Sequence, residues 1–275
     1  MNVTKNVNGS LDFWNSPPKS TSALKAISTF MWRAAQNTKN NLAGYVMEAV
    51  LSPVITLLIF SFLFGGAIAG STHEYIQFLL PGILILTVVP LTVYSGTSLC
   101  LDITKGVFNR FRTMPFWQPA AILGPLITDG IRYTIALLSA LATGLLLGFR
   151  PEGGVLGTVL AILFIIFFAF SVSWIFSTIG VLAKRPETVS GTSMMLIYPF
   201  LFASNILVDS ATMPKWIQII VDLNPISMVT VTVRGLISGA ATISEISAGI
   251  AICVLFIIIF APITVYLYLS KNNKA

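Results

Sequence analysis

The chain predicts an all-α integral membrane fold with six transmembrane helices, and three observations support that expectation. First, six long stretches are free of Asp, Glu, Lys and Arg. They lie between Glu48 and Glu74, Glu74 and Asp102, Arg132 and Arg150, Glu152 and Lys184, Glu187 and Asp209, and Glu245 and Lys271. A hydrocarbon core about 30 Å thick needs roughly 17 to 25 predominantly apolar residues per helical crossing, and each stretch supplies that length. Second, hydrophobic residues make up 55% of the 275 and charged residues only 9%, against about 25% charged in an ordinary soluble domain. Third, the basic residues cluster on one side of the implied crossings. With so much of the length taken by spans, the expectation is one membrane domain without a separate soluble catalytic domain.

In chain order, residues 1–20 read as a polar, flexible tail containing Pro17 and Pro18, and they lack the apolar core of a signal peptide. Residues 21–275 form the transmembrane domain. It begins with an interfacial helix over 21–40, where Leu24, Ile27, Phe30 or Met31, and Ala34 recur at helical spacing beside Lys25 and Arg33. A partly ordered basic tail is the plainer alternative. The spans are expected at 46–66, 76–101, 125–148, 156–182, 189–208 and 246–269. Cys100 and Cys253 fall on different spans and read as small apolar packing residues, not as a disulfide.

Orientation follows from the positive-inside rule. One side receives Lys5, Lys19, Lys25, Arg33, Lys39, Lys105, Arg110, Arg112, Lys184, Arg185, Lys271 and Lys274. The other receives Arg150, Lys215 and Arg234. Both termini are therefore expected in the cytoplasm, in the plasma or inner membrane. The net charge of +6 is spread along membrane borders, which suits anionic lipid headgroups and not a nucleic acid.

Two non-spanning segments carry more information. The loop Asp102–Pro115 is basic yet contains Val107, Phe108, Phe111 and Met114. A short helix stopped by Pro115 presents Phe108, Phe111 and Met114 on one side, to a membrane surface or to a groove on a partner. The second segment, Met213–Gly239, has Pro214 suited to a first helical turn, a break at Asn224-Pro225, and Gly239 as a helix end. Each half is about a dozen residues, roughly 18 Å and too short to cross. The pair is expected to dip into the outer leaflet and return as a re-entrant helix pair, with two surface helices as the alternative.

These residues carry a family resemblance. The chain resembles the membrane subunit of a type-2 (ABC-2) ABC exporter, and within that class the daunorubicin/multidrug-resistance permease group. The matching features are the six-span plan behind an amphipathic helix; Asp102, Gly106 and Arg110 to Pro115, followed by Gly124 and Asp129 to Arg132; and Pro214, Trp216, Asn224, Pro225, Arg234, Gly235 and Gly239. Phe116 to Pro119 depart from the group's small and basic residues.

The resemblance implies a homodimer, or a pairing with a homologous permease, served by two ATP-binding cassette subunits. No Gly-x-x-x-x-Gly-Lys-Ser/Thr cradle occurs in the sequence. No cofactor is therefore expected on this chain, with ATP and Mg on the partner. Asp102, Gly106, Phe108, Arg110, Phe111, Arg112 and Met114 would form the coupling helix that docks on the ATPase. The family places the export route along spans one, two and five. Glu48, Ser52, Thr56 and Phe60 form a stripe on the first span, and Met194, Tyr198, Phe202, Asn205 and Asp209 one on the fifth. Met, aromatic and hydroxyl groups suit amphipathic cargo of variable shape, although ordinary helix packing uses the same residues.

Asp129 and Arg132, one turn apart, read as a local ion pair. His73 reads as a solvated loop residue, with no metal site around it. No nucleophile, base and orienting group converge, so no enzyme is expected. The implied cargo is a lipophilic drug, antibiotic or lipid. The alternatives are a lipid-linked glycan exporter of the same class and an ion-coupled secondary transporter, the latter lacking its usual repeats and midplane charges.

Overall fold

The computed structural model describes residues 22–69, 71–107 and 116–274, with side chains described at all of these except 67–69, 72–73 and 272–274. The tail 1–20, and Phe108, Arg110, Phe111, Arg112 and Met114 of the loop, lie outside the described residues. Every regular element among the described residues is helical.

The first helix, α1 (Ala23–Asn40), starts where the Ser22 hydroxyl accepts from the Lys25 N–H, satisfying one of the free donors of a helix start. It lies on the third long helix. Ala26 and Phe30 form its buried face, while Leu24, expected on the apolar face toward the membrane, is 81% exposed. Protein contact at i and i+4 fixes the rotation: a Cβ added at Gly124 would stand 2.4 Å from the Phe30 Cβ. Phe30 also meets the Phe116 ring at 5.3 Å.

The first candidate span, Leu42–Gly66, comprises α2 (Leu42–Val46), a π-helical turn at Met47–Leu51, and α3 (Ser52–Ala69). The second, Glu74–Thr104, is α4 (Thr72–Leu91) followed by α5 (Val93–Thr104). Pro90 lacks the donor that the Leu86 carbonyl would take near the break, and at the break itself the Thr92 hydroxyl donates to the Val89 carbonyl at 2.6 Å. Then come α6 (Ala120–Leu146), α7 (Gly154–Leu182), α8 (Pro186–Phe202), α9 (Lys215–Leu223), α10 (Pro225–Ser238) and α11 (Ile243–Lys274).

Among the described residues, five helices are long and apolar enough to cross a membrane, or six if the bent pair α9–α10 counts as one span. The fifth expected span, 189–208, is the largest departure. Its helix α8 has 17 residues, about 26 Å at 1.5 Å per residue, and residues 203–208 continue without helix. Two side chains from α9–α10 account for this early end. The Asn224 Nδ2 donates to the carbonyls of Phe200 and Ala203 at 2.6 and 2.7 Å. Arg234 donates to those of Asn205 and Ile206 at 2.8 and 3.0 Å. Carbonyls that would otherwise need helical donors are satisfied from outside.

α4 is the central helix, packed against α3, α6, α7, α8 and α10; Leu79, Leu80, Ile83, Leu84 and Ile85 are fully buried. Small residues let α5 and α7 touch. A Cβ on Gly96 would meet the Phe176 carbonyl oxygen at 2.2 Å, and one on Gly180 the Gly96 oxygen at 2.2 Å. Such backbone approach is a main source of attraction between helices in lipid, where no hydrophobic force separates protein from solvent. Cys100 and Cys253 are both buried and free.

The bundle has two distinct ends. At one, α1, the last turn of α5, the start of α6 and the end of α11 converge, and Lys271 Nζ donates to the Val181 carbonyl at the end of α7 at 2.6 Å. At the other, Gln77 bridges the Gly148 carbonyl and the Arg150 N–H, and the Gly153 N–H donates to the Ile237 carbonyl at 2.7 Å. These are called the terminal end and the hairpin end below.

Candidate functional site

At the terminal end, the Asp102 carboxylate meets the Arg33 guanidinium at 2.6 Å, joining the last turn of α5 to α1. Thr128 on α6 donates to the Met31 carbonyl at 3.3 Å. Gly106 follows the helix with φ +70°, a left-handed conformation that a side chain would strain, and turns the chain into the loop. Of the residues expected to dock a partner, Asp102 and Gly106 are thus placed at the root of that loop. The others lie outside the described residues.

Next to this joint is a cavity of about 460 Å3, bounded by α1, α2, α5 and α6. Glu48, Asp102, Asp129, Arg33 and Arg132 all line it. Glu48 sits in the π-helical turn, a geometry often associated with functional sites, and accepts a hydrogen bond from the Tyr94 hydroxyl. Asp129 accepts from Ser95 at 2.7 Å. The Ser95 hydroxyl lies 3.4 Å from that of Tyr133, which in turn meets Ser173 at 2.9 Å. Glu48, Asp129 and their partners therefore tie the first four expected spans together.

Arg132 departs from its expected pairing. The only ion pair among the described residues is Arg33–Asp102. The Arg132 guanidinium instead lies over two rings, 5.3 Å from the Tyr45 centroid and 4.7 Å from that of Tyr94. A face-on cation of this kind is attracted by the ring quadrupole, by about 0.5–2 kcal/mol depending on desolvation. Sequence reasoning reached Glu48, Asp129 and Arg132 but missed Tyr45, Tyr94, Ser95 and Tyr133. Tyr45 precedes Glu48 by three residues and Tyr133 follows Asp129 by four, so helical spacing was an available signal. Tyr94 and Ser95 have no such relation to the others.

The two expected cargo stripes lie on helices that flank α4. α3 packs on α4 and α6, while α8 packs on α5, α7 and α4. On the first helix Ser52 is exposed, Thr56 and Phe60 half-buried, and Phe60 stacks on Phe64 at 5.5 Å. On α8, Tyr198 and Phe202 are exposed and stack at 6.0 Å, while Met194 rests against the core. Asn205 is buried, its N–H bound to Ser227 Oγ and its carbonyl to Arg234. It belongs to the non-helical segment and not to the open face.

At the hairpin end, Pro214 precedes α9, and Trp216 on that helix is 66% exposed. α9 and α10 meet at 80°. Asn224 occupies the corner: while its amide donates to α8, its Oδ1 accepts the Ile226 N–H at 2.9 Å, and Pro225 opens α10. Arg234 also lies 3.8 Å from the Phe78 ring centroid. A second cavity of about 450 Å3 adjoins it.

Comparison with known proteins bears on this arrangement. The model of the ABC-2 type transporter family matches residues 25–238. The chain is 50% identical over 255 residues to the daunorubicin resistance ABC transporter permease protein of Streptomyces coeruleorubidus, across 93% of this chain and 90% of that protein. It is 21% identical over 200 residues to a Mycobacterium tuberculosis protein named probable doxorubicin resistance ABC transporter permease protein, across 72% of each.

Proposed function

The chain belongs to the ABC-2 type transporter family, and from that premise we propose that it is the membrane-spanning permease subunit of an ATP-driven drug exporter. Its cargo is lipophilic or amphipathic and leaves the cytoplasm or inner leaflet. ATP, with Mg, is hydrolysed on separate ATP-binding cassette subunits, two per transporter, serving a pair of permeases. The terminal end faces the cytoplasm of the cell-membrane-bound complex, and α9–α10 is re-entrant from the opposite leaflet. The observation that carries this reading is the 50% identity to a daunorubicin resistance permease over nearly the full chain.

In this arrangement the segment beginning at Asp102 and Gly106 is the coupling helix, and α1 is the second strut next to it. Closure of the ATPase pair moves both as a rigid body. Their joint, Arg33–Asp102, passes the motion to α5 and hence to the central span. The exposed aromatic faces of α3 and α8 form the export route where two permeases meet.

Coexpression with a candidate ATP-binding cassette protein tests the reading. The ATPase is expected to copurify with the permease in detergent, and daunorubicin to stimulate its hydrolysis of ATP in reconstituted vesicles. Drug efflux by the permease alone, without nucleotide, would overturn it.

A further inference from the structure

We propose that the cavity at the terminal end is an access site for a lipophilic monocation, and that Arg132 occupies the cation position until such a guest arrives. The inference rests on the proposed export function and names the guest class that this cavity recognises. Three observations point to it.

The rings of Tyr45 and Tyr94 already hold a cation, the Arg132 guanidinium, at 5.3 and 4.7 Å. Glu48 stands at the same place, fixed by the Tyr94 hydroxyl. Among the described residues the walls carry three carboxyl groups, of Glu48, Asp102 and Asp129, and two guanidiniums, of Arg33 and Arg132. Since Arg33 is held by Asp102, Arg132 faces two carboxyl groups and has an ion pair with neither. A guest cation favours the ionised form of a neighbouring carboxyl group, and Glu48 is the carboxyl group that stands beside the rings.

The exchange is geometrically simple. Asp129 lies three residues before Arg132 on α6, within side-chain reach on the same helical face. When a guest cation enters between the tyrosine rings, Arg132 swings onto Asp129, leaving the rings and Glu48 to the guest. The apolar part of the guest lies along Val46 and Met47, which are exposed beside the cavity at the start of the first span.

The test is saturable binding of tetraphenylphosphonium to the permease–ATPase complex in nanodiscs, with tetraphenylborate, of the same shape and opposite charge, as competitor. Glu48→Gln and Tyr94→Leu are each expected to weaken binding about tenfold, as loss of a close charge or of a ring face does. Tyr94→Phe, which retains the ring but releases Glu48 from the hydroxyl, is expected to weaken binding less than Tyr94→Leu. Arg132→Met removes the internal competitor and tightens binding several-fold, an outcome that a purely structural arginine does not produce. Tetraphenylborate is expected not to compete.

The inference is overturned by equal competition from tetraphenylborate, or by Glu48→Gln and Tyr94→Leu without effect. It is overturned too if Arg132→Met weakens binding in protein of unchanged melting temperature. Charge-blind binding by a complex whose ATPase responds normally to daunorubicin defeats this inference alone. Absence of any copurifying ATPase defeats the export reading, whatever the phosphonium result.

Discussion

The polar side chains at the hairpin corner and those around the terminal-end cavity are used in opposite ways. At the hairpin end, Asn224 and Arg234 are committed to backbone carbonyls of 200–206, and the chain between α8 and α9 is held where a helix would otherwise be needed. At the terminal end, Glu48, Asp129 and Arg132 engage hydroxyls and rings around a cavity, and little backbone depends on them. Polar groups bound to backbone in a low-dielectric setting are structural, because removing them strands partners that have no water to turn to. Polar groups bound to one another around open space can exchange partners. The comparison therefore assigns stability to one end and responsiveness to the other.

The largest effect that can break this comparison is at the corner. Asn224→Ala leaves the Phe200 and Ala203 carbonyls and the Ile226 N–H without their partner. At about 1–3 kcal/mol for each stranded buried group, the variant is expected to lose most of its melting transition in detergent and much of its membrane yield. Asn224→Asp retains the acceptor for Ile226 but not the donors, and falls between. A melting temperature within two or three degrees of wild type for Asn224→Ala removes the structural assignment of the hairpin end.

A smaller effect is expected where α1 rests on α6. Leucine at Gly124 places its Cβ 2.4 Å from the Phe30 Cβ, so α1 must lift. Overpacking of this kind costs about 1–3 kcal/mol, but α1 is peripheral and the packing of the long helices on α4 remains. Gly124→Leu is expected to insert and melt within several degrees of wild type, while daunorubicin no longer stimulates ATP hydrolysis. Loss of the fold would show that the terminal end is as structural as the hairpin.

Much of this architecture was legible in the sequence, for identifiable reasons. Long charge-free runs locate the long helices because crossing length is set by the bilayer and not by partners, and Asn224-Pro225 announces the corner because proline cannot continue a helix there. The early end of α8 was not legible. Residues 203–208 carry no charge and are compatible with a helix, and the groups that replace their helical bonds lie some 20 to 30 residues later in the chain. The π-helical turn at Glu48 has no spacing signature at all. Helical spacing proposed Asp129 as the partner of Arg132; the actual partners include Tyr94, which only the packing of α5 against this region brings near. In α1 the face that packs on protein, Ala26 and Phe30, depends on the notch at Gly124, which lies some 90 residues later in the chain.

The smallest effect sharpens the comparison instead of breaking it. Arg33 and Asp102 are each 31% exposed, so solvent screens their attraction, and pairs of this kind contribute about 0–1 kcal/mol to stability. A double-mutant cycle of Arg33→Ala and Asp102→Asn is expected to give a coupling energy in chemical denaturation of about 0.5 kcal/mol. The same cycle read on daunorubicin-stimulated ATP hydrolysis is expected to show each single variant nearly as impaired as the double, since either loss opens the same joint between α1 and α5. A large stability coupling with normal stimulation would reverse the assignment, making the joint a clasp and not a lever. The contrast between the two readouts, more than the size of either, decides whether motion crosses from α1 to the central span at this pair.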